Sequence, residues 1–443
     1  YRETAQTIIA SGRSANGAWS KMQELCDDIG HRLSGSKGLE RAVAWAIKTM
    51  KADGHQNVAG EEVMVPRWVR GKESAALVVP YAMDFSMLGL GGSVGTPAKG
   101  ITASVVVVTH EEELEARGKA GALKGKIVLF NNAMPEYDAH KHGSHYGHTV
   151  RFRVRGADQA SAHGAVAVLV RSVTAVSLNT PHTGAMRYSG DVKKIPAAAV
   201  AVEAATLLAR LAARGRDVKV QLKMQAKDHG MVLSHNVVGE LRGSEKPDEI
   251  VVISGHLDSW DVGSGAHDDA SGCIMAMEAL TLLRKLKLRP RRTIRVVLWT
   301  NEENGLKGAK SYGKTHADEL KLHVAAIEAD HGSFQPKGFR LHLEDHAASK
   351  RGVKVLAQIL RLLEPIGANH ASAGFSGADV RTMGAKAGVP TLGLKMDGST
   401  YFNFHHTPAD TLDKLDPAHL TDNVISFAVL AFVLADMPGR LGD

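Results

Sequence analysis

From about residue 235 to the end of the chain, short apolar runs alternate with stretches of helical periodicity. The runs "HNVVGEL", "EIVVISG", "TIRVVLWT", "LHVAAIEAD" and "VPTLGL" read as strands. A segment from Ser271, "GVKVLAQILRLLEP" and the terminal "NVISFAVLAFVLADM" read as helices. Apolar strands that alternate with helices pack as a sheet between helical layers, buried on both faces. The pattern therefore predicts an α/β domain around a mixed, mostly parallel sheet. In such sheets ligands bind beyond the carboxyl ends of the strands, so the residues just after each apolar run carry the information about chemistry.

Those residues are unusually charged. "SGHLDSWDVGSGAHDDASG", residues 254–272, follows "EIVVI" and runs into a helix, and it contains two histidines and four aspartates. An isolated carboxylate is costly to bury, and buried charges are normally paired or bound to metal. His256 stands just past the strand. Asp258, two residues on, is placed to accept a hydrogen bond from its free ring nitrogen and fix the tautomer, as carboxylates behind metal ligands do. Asp268 or Asp269 can bridge two ions, while Ser271 and Gly272 open the helix. Taken alone, "HLD" fits a surface turn and "DDASG" fits a helix N-cap with acids that suit the helix dipole. The other strand ends decide between these readings. Glu302 and Glu303 follow "VVLWTN", Asp330 ends "VAAIEAD", and His405 and His406 lie in "YFNFHHTPADTLDK". Two adjacent glutamates repel unless their tasks differ, one binding metal and the other acting as general base. Two histidines and three carboxylates suit zinc. One ion would leave acids over, whereas two ions sharing a bridging carboxylate use them all.

Length and composition add bounds. A chain of 443 residues is long enough for two domains. Residues 1 to about 74 read as helical and then extended, with helices in "GAWSKMQELCDDIG" and "LERAVAWAIKTMKADG". Residues 75–225 change to short β-type runs with one helix, "RGADQASAHGA", and read as a β-rich module inserted before the catalytic part, 226–443. The formal charge is +7 and the basic residues are scattered. Their one cluster, "LRKLKLRPRRTIR", reads as a solvated linker, so neither nucleic acid nor a membrane is expected as a partner. No apolar stretch reads as long enough to cross a membrane. Cys26 and Cys273 make neither a disulfide framework nor a thiolate metal site; two buried thiols are expected. The first residue is Tyr1, and a processed, exported protein, periplasmic or secreted, is the expectation.

The spacing of "GHLDSWDVGSGAHDDASG", "NEENG", "EADHG" and "FHHTPADTLD" resembles the co-catalytic zinc exopeptidases, the group of bacterial leucyl aminopeptidase and glutamate carboxypeptidase II. The resemblance covers nearly the whole chain. It implies two zinc ions per chain, with His256, Asp268 and Asp330 on one and Glu303 and His406 on the other. Asp268 rather than Asp269 is the bridge, because the family motif runs D-x-x-S-G. Glu302 matches the general base and Asp258 the residue that orients His256. The reaction implied is peptide hydrolysis by a hydroxide bridging the metals, on dipeptides or other small peptides with free termini. The inserted segment resembles the family's protease-associated domain, placed over the cleft or in a homodimer contact, where it would limit substrate length. His267 departs from the pattern and is expected in a loop facing the cleft. His405 stands where some relatives have tyrosine, which leaves the oxyanion donor open.

Three further features carry weaker expectations. "YDAHKHGSHYGH", 137–148, holds His140, His142, His145 and His148 but lacks strand-end carboxylates, so a loop near the substrate is expected there rather than a metal site. "FSGADVRTMGAKAGVP", 375–390, resembles the family's substrate-facing loop through Asp379, against the alternative of a helix capped by Ser376 or Asp379. Tyr401 is close enough in sequence to His406 to reach substrate, although packing is the plainer role for it and Phe402. Two other functions compete: an exopeptidase fold retained only for protein binding, which would have lost ligands, and a single-zinc acyltransferase of the glutaminyl cyclase type, whose members lack the inserted segment.

Overall fold

The structure, a computed structural model, describes residues 1–15, 17–138 and 144–443. His140 and His142 lie outside the described residues. The described chain separates into two compact units. The first holds Tyr1–Val65, Met231–Gly398 and Asp410–Asp443, and the second holds Pro66–Gly230 and Ser399–Ala409. The divisions therefore fall at 65/66 and 230/231, not at the expected 74/75 and 225/226. The strands Gln56–Val69 and Lys227–Leu241 each run unbroken through a division, so no loop and no change of composition marks it. Residues 399–409, read from sequence as part of the catalytic region, group with the inserted segment.

The first unit is built on an eight-stranded sheet. Its order is Gln56–Val69, Lys227–Leu241, Arg292–Trp299, Lys246–His256, His323–Glu328, Thr391–Met396, Pro336–His342, His370–Ala373. The middle four strands are parallel to one another. Lys227–Leu241 and Pro336–His342 join them antiparallel. The central strand Lys246–His256 is buried without a break from Ile250 to His256, as expected for a strand covered on both faces. One cover is the helix Ser271–Lys285, buried all round from Ser271 to Leu283. It packs against the C-terminal helix Pro417–Asp436, whose Asp416 caps the first turn by accepting from the Ala418 N–H at 2.8 Å.

That last helix corrects one expectation. At 20 residues it is long and apolar enough to cross a membrane by length and composition, yet 78% of its apolar window is buried inside the unit. An all-round apolar helix at the centre of a large core meets the same test. The basic cluster also differs from the linker expected. Arg292 begins a strand, is 2% exposed, and donates to the Met437 carbonyl and to Glu249.

The second unit has its own eight-stranded mixed sheet, antiparallel over Met83–Phe85, Glu73–Val79, Lys219–Met224 and Ile101–Val108. It continues in parallel through Ile127–Phe130, Ala167–Arg171 and Ala197–Val200, with Met87–Gly89 antiparallel at the far edge. It carries the helices Glu111–Lys119, Arg151–Ala162 and Val202–Ala213, of which sequence reading found one. "EEELEARGK" buries only Leu114, so it has no apolar stripe to read. Both units are thus mixed α/β with helices flanking a mixed sheet. Cys26 and Cys273 are buried free thiols.

Candidate metal centre

Three neighbouring parallel strands end at one edge of the first sheet. His256 pairs in register with Trp299 on one side, and Ser254 pairs with Glu328 on the other. The chain beyond each strand then supplies Asp258, then Glu302 and Glu303, then Asp330. Parallel register is what gathers them, because every strand delivers its C-terminal residue to the same edge.

His256 Nε2 lies 3.1 Å from Asp268 Oδ1 and 3.3 Å from Asp330 Oδ1. Ligand atoms about 2.0–2.2 Å from a tetrahedral zinc stand roughly 3.3 Å apart, so both distances from His256 suit a shared ion, and all three donor atoms lie within 4.8 Å of one another. His256 is 1% exposed and Asp268 5%. Burial works against the imidazolium of His256, but Asp268, Asp330 and Asp269 outweigh it and hold its pKa well above 6.5. An imidazole among three carboxylates is a site built for positive charge.

The ligands are fixed from behind. His256 Nδ1 donates to the main-chain carbonyl of Asp258 at 2.9 Å, while the Asp258 carboxylate is 3.8 Å from that nitrogen. The carboxylate instead accepts the N–H groups of Glu302, 3.0 Å, and Glu303, 3.3 Å. Asp258 therefore sets the His256 tautomer through its backbone and ties the neighbouring strand end through its side chain. Asn301, in the left-handed region at φ 67, turns the chain into the two glutamates. Glu302 is half-buried, and its carboxyl is pushed well above the usual range by burial and by Asp330, Glu303 and Asp258, against the opposing effect of His256.

Asp269 is occupied with main-chain groups. It accepts the N–H groups of His256 and Gly272, each at 3.0 Å, and so joins the strand to the helix it precedes. Two residues with no role in the sequence reading hold the same loop. Asp410 accepts the N–H groups of His267 at 2.7 Å and Asp268 at 3.1 Å, and burial with the neighbouring Asp268 charge raises its pKa to about 7. The fully buried Arg32 donates to the carbonyls of Leu257, Ser264 and Gly265. Asp410 had a weak signal, an acid four residues after His406 in "HHTPAD"; "HRLSGS" around Arg32 had none.

The remaining expectations sort as follows. His267 does not face a cleft. It is fully buried, stacks on Phe334 with ring centroids 4.5 Å apart, accepts from the Ser333 N–H and contacts the Lys414 carbonyl. Asp379 is fully buried beside Glu328. Glu328 takes the N–H groups of Asp379 at 3.4 Å and Val380 at 2.7 Å, so the helix Ala378–Gly384 is capped by a carboxylate from the strand. Neither Ser376 nor Asp379 caps it, and Ser376 bonds Thr391 instead. In the second unit, Tyr401 is buried against Phe402 and His405, and His405 stacks on His406 at 3.5 Å. His148 meets Arg151 at 3.3 Å, and His145 adopts φ 57.

Comparison with known proteins bears on what this edge does. Residues 236–431 match the profile of peptidase family M28. Carboxypeptidase Q of Xenopus laevis is 40% identical over 444 residues, spanning 100% of this chain and 91% of that protein. The chain belongs to peptidase family M28. The human carboxypeptidase Q is 39% identical over 442 residues, 99% of this chain and 90% of its own. A crystal structure of a peptidase M28 precursor from Shewanella amazonensis SB2B matches the M28 chain with a TM-score of 0.93 at 36% identity, covering 99% of this chain and 98% of that one. A zinc aminopeptidase from Bacillus subtilis, 19% identical with a TM-score of 0.69 over 96% of each chain, shares the fold. The M28 chain is accordingly a metallopeptidase of the exopeptidase kind.

Proposed function

We propose that this chain is a di-zinc exopeptidase that hydrolyses dipeptides or other small peptides with free termini. The observation that carries the reading is the His256, Asp268 and Asp330 triad at the end of a buried run of parallel strands, with His256 Nε2 3.1 and 3.3 Å from the two carboxylates and all three donor atoms within 4.8 Å of one another. In this reading those three residues hold one ion. Asp268, shared, holds the second with Glu303 and His406. When bound, the metal would lower the pKa of a water and polarise the scissile carbonyl.

The residues then do the following work. Glu302 accepts the water's proton as the oxygen adds to the carbonyl carbon. It returns that proton to the amine nitrogen as the C–N bond breaks, so the products are an amine and a carboxylic acid, whose remaining proton is lost to solvent as it ionises. Glu302 is next in sequence to the proposed ligand Glu303 and its N–H is held by Asp258 beside His256, a position that suits both transfers. Asp258 keeps His256 Nδ1 occupied, leaving Nε2 for metal. Buried Asp379, Tyr401 and His405 are the residues the reading would place nearest substrate. Export to the periplasm or outside the cell and a homodimer belong to the same reading; the word "precursor" in the name of the Shewanella relative supports export.

The experiment is a panel of dipeptides, N-blocked dipeptides and C-amidated dipeptides assayed with defined zinc. Hydrolysis of free dipeptides, with loss on blocking either terminus, is expected. Cleavage of blocked peptides at an undiminished rate would overturn the free-termini part. Cyclisation of N-terminal glutamine with one zinc per chain would favour the acyltransferase, and metal binding without turnover of any peptide would favour a binding protein.

A further inference from the structure

The sequence "PHTG", residues 181–184, plays no part in the site described so far, yet hydrogen bonds hold it along its length. The His182 N–H donates to Ser172 Oγ at 2.8 Å, and that hydroxyl donates to the Val200 carbonyl at 2.8 Å. Thr183 Oγ1 donates to the Gly89 carbonyl at 2.8 Å and receives Arg70 Nη2 at 3.4 Å. The Gly184 carbonyl accepts the Gly91 N–H at 2.9 Å. His182 and Thr183 are 1% and 0% exposed. So much pinning of a loop that adds nothing to the sheet needs a purpose.

The turn faces His406, and it does so through main-chain groups. Thr183 N–H donates to the His406 carbonyl at 3.0 Å, and His406 Nδ1 lies 3.1 Å from the Thr183 carbonyl. A carbonyl oxygen only accepts, so the proton of the neutral ring sits on Nδ1 and the lone pair on Nε2. Arg153 Nη1 lies 3.5 Å from both that carbonyl and the ring nitrogen, and Arg153 is anchored by donating to the Tyr146 hydroxyl at 2.7 Å. His406 itself has φ 61, in the left-handed region. Its backbone is therefore not held by local preference, and the paired bonds to Thr183 supply the restraint.

We infer that the turn 181–184 is a positioning element for His406: the Thr183 carbonyl sets the ring tautomer and orientation so that Nε2 is presented to metal. The inference rests on His406 being a zinc ligand, as proposed above. It gives the inserted segment a task in the metal centre, carried out entirely by residues of the second unit.

Gly184 offers the lever for a test. It sits at φ +146, and a Cβ there would lie 2.4 Å from the Arg153 guanidinium carbon. Gly184→Ala must therefore shift either the turn or Arg153. Thr183→Val removes the anchor on Gly89 while keeping the branched shape, and Thr183→Ser restores the hydroxyl. Zinc affinity is measured on the full chain by chelator competition, alongside melting temperature, with His406→Ala as reference. The expected result is loss of one zinc in His406→Ala. In Gly184→Ala and Thr183→Val, that same zinc weakens by about tenfold or more, the usual scale for groups behind metal ligands, and Thr183→Ser returns it to near the parent value. A drop in melting temperature with unchanged zinc affinity in both turn variants would overturn the inference and leave the ligand assignment standing. Two tightly held zinc ions in His406→Ala would overturn the ligand assignment itself.

Discussion

Glu302 and Glu303 are adjacent in sequence and chemically alike, so the proposed division of labour between them has to come from geometry. Both main-chain N–H groups end on the Asp258 carboxylate, which fixes the backbone at this point. Glu302 is the proton carrier in the proposed reaction. Glu302→Gln keeps size and shape but cannot take a proton. It should retain its metal while kcat falls about 10²–10⁴-fold, the usual contribution of a positioned general base. Metal content and steady-state rates of the purified variant check this, and near-normal turnover with metal retained would refute the role. At this scale the sequence spoke through residue type at strand ends. It did not speak through Asp258, whose carboxylate was expected on His256 and lies on the glutamate backbone instead. Nor did it speak through His267, which looked like one more cleft histidine and is a buried packing group. Hydrogen-bond partners depend on loop conformation, which residue type alone does not determine.

At the scale of elements, what could be read was whatever buries apolar surface with a regular period. The central strands and the helix Ser271–Lys285 were visible because their burial is continuous. The helix Glu111–Lys119 was not, because its charge pattern gives no stripe. Buried polar links between elements were equally hidden, and one has a pH consequence. The strand His323–Glu328 starts with a histidine whose Nδ1 donates to the Glu319 carbonyl and whose Nε2 accepts from the Tyr312 hydroxyl, each at 3.0 Å. Tyr312 in turn accepts from Arg295 at 2.7 Å. A charged ring would have to donate to the Tyr312 oxygen, which already accepts from Arg295, and burial lowers the His323 pKa to about 4. The unfolded chain, near 6.5, binds the proton more readily. The contribution of His323 is therefore complete above pH 6.5 and is lost as pH falls from 6.5 towards 4, by up to about 3 kcal/mol. Thermal melts at pH 7 and pH 5 should show a smaller loss of stability for His323→Gln than for the parent. An equal loss in both proteins would show that His323 does not titrate with folding.

For the whole molecule, the α/β architecture was legible, because an alternating apolar pattern is a long-range feature of sequence. The course of the chain between the units was not. It leaves and re-enters through the strands Gln56–Val69 and Lys227–Leu241 and sends residues 399–409 to the second unit, with no change in composition at any of these points. The account also joins parts far apart in the chain: ligands at strand ends near 256, 303 and 330, a bridge at 268 tied to Asp410, and His406 held by the turn at 183. Its central claim is that two zinc ions serve one hydrolytic site. The direct measurement is a titration of metal-free protein with zinc, following bound metal and hydrolysis of a free dipeptide in the same samples. The account predicts two equivalents bound per chain, with activity reaching its plateau only as the second is filled. Full activity at one equivalent, with no further change as more zinc is added, would contradict it.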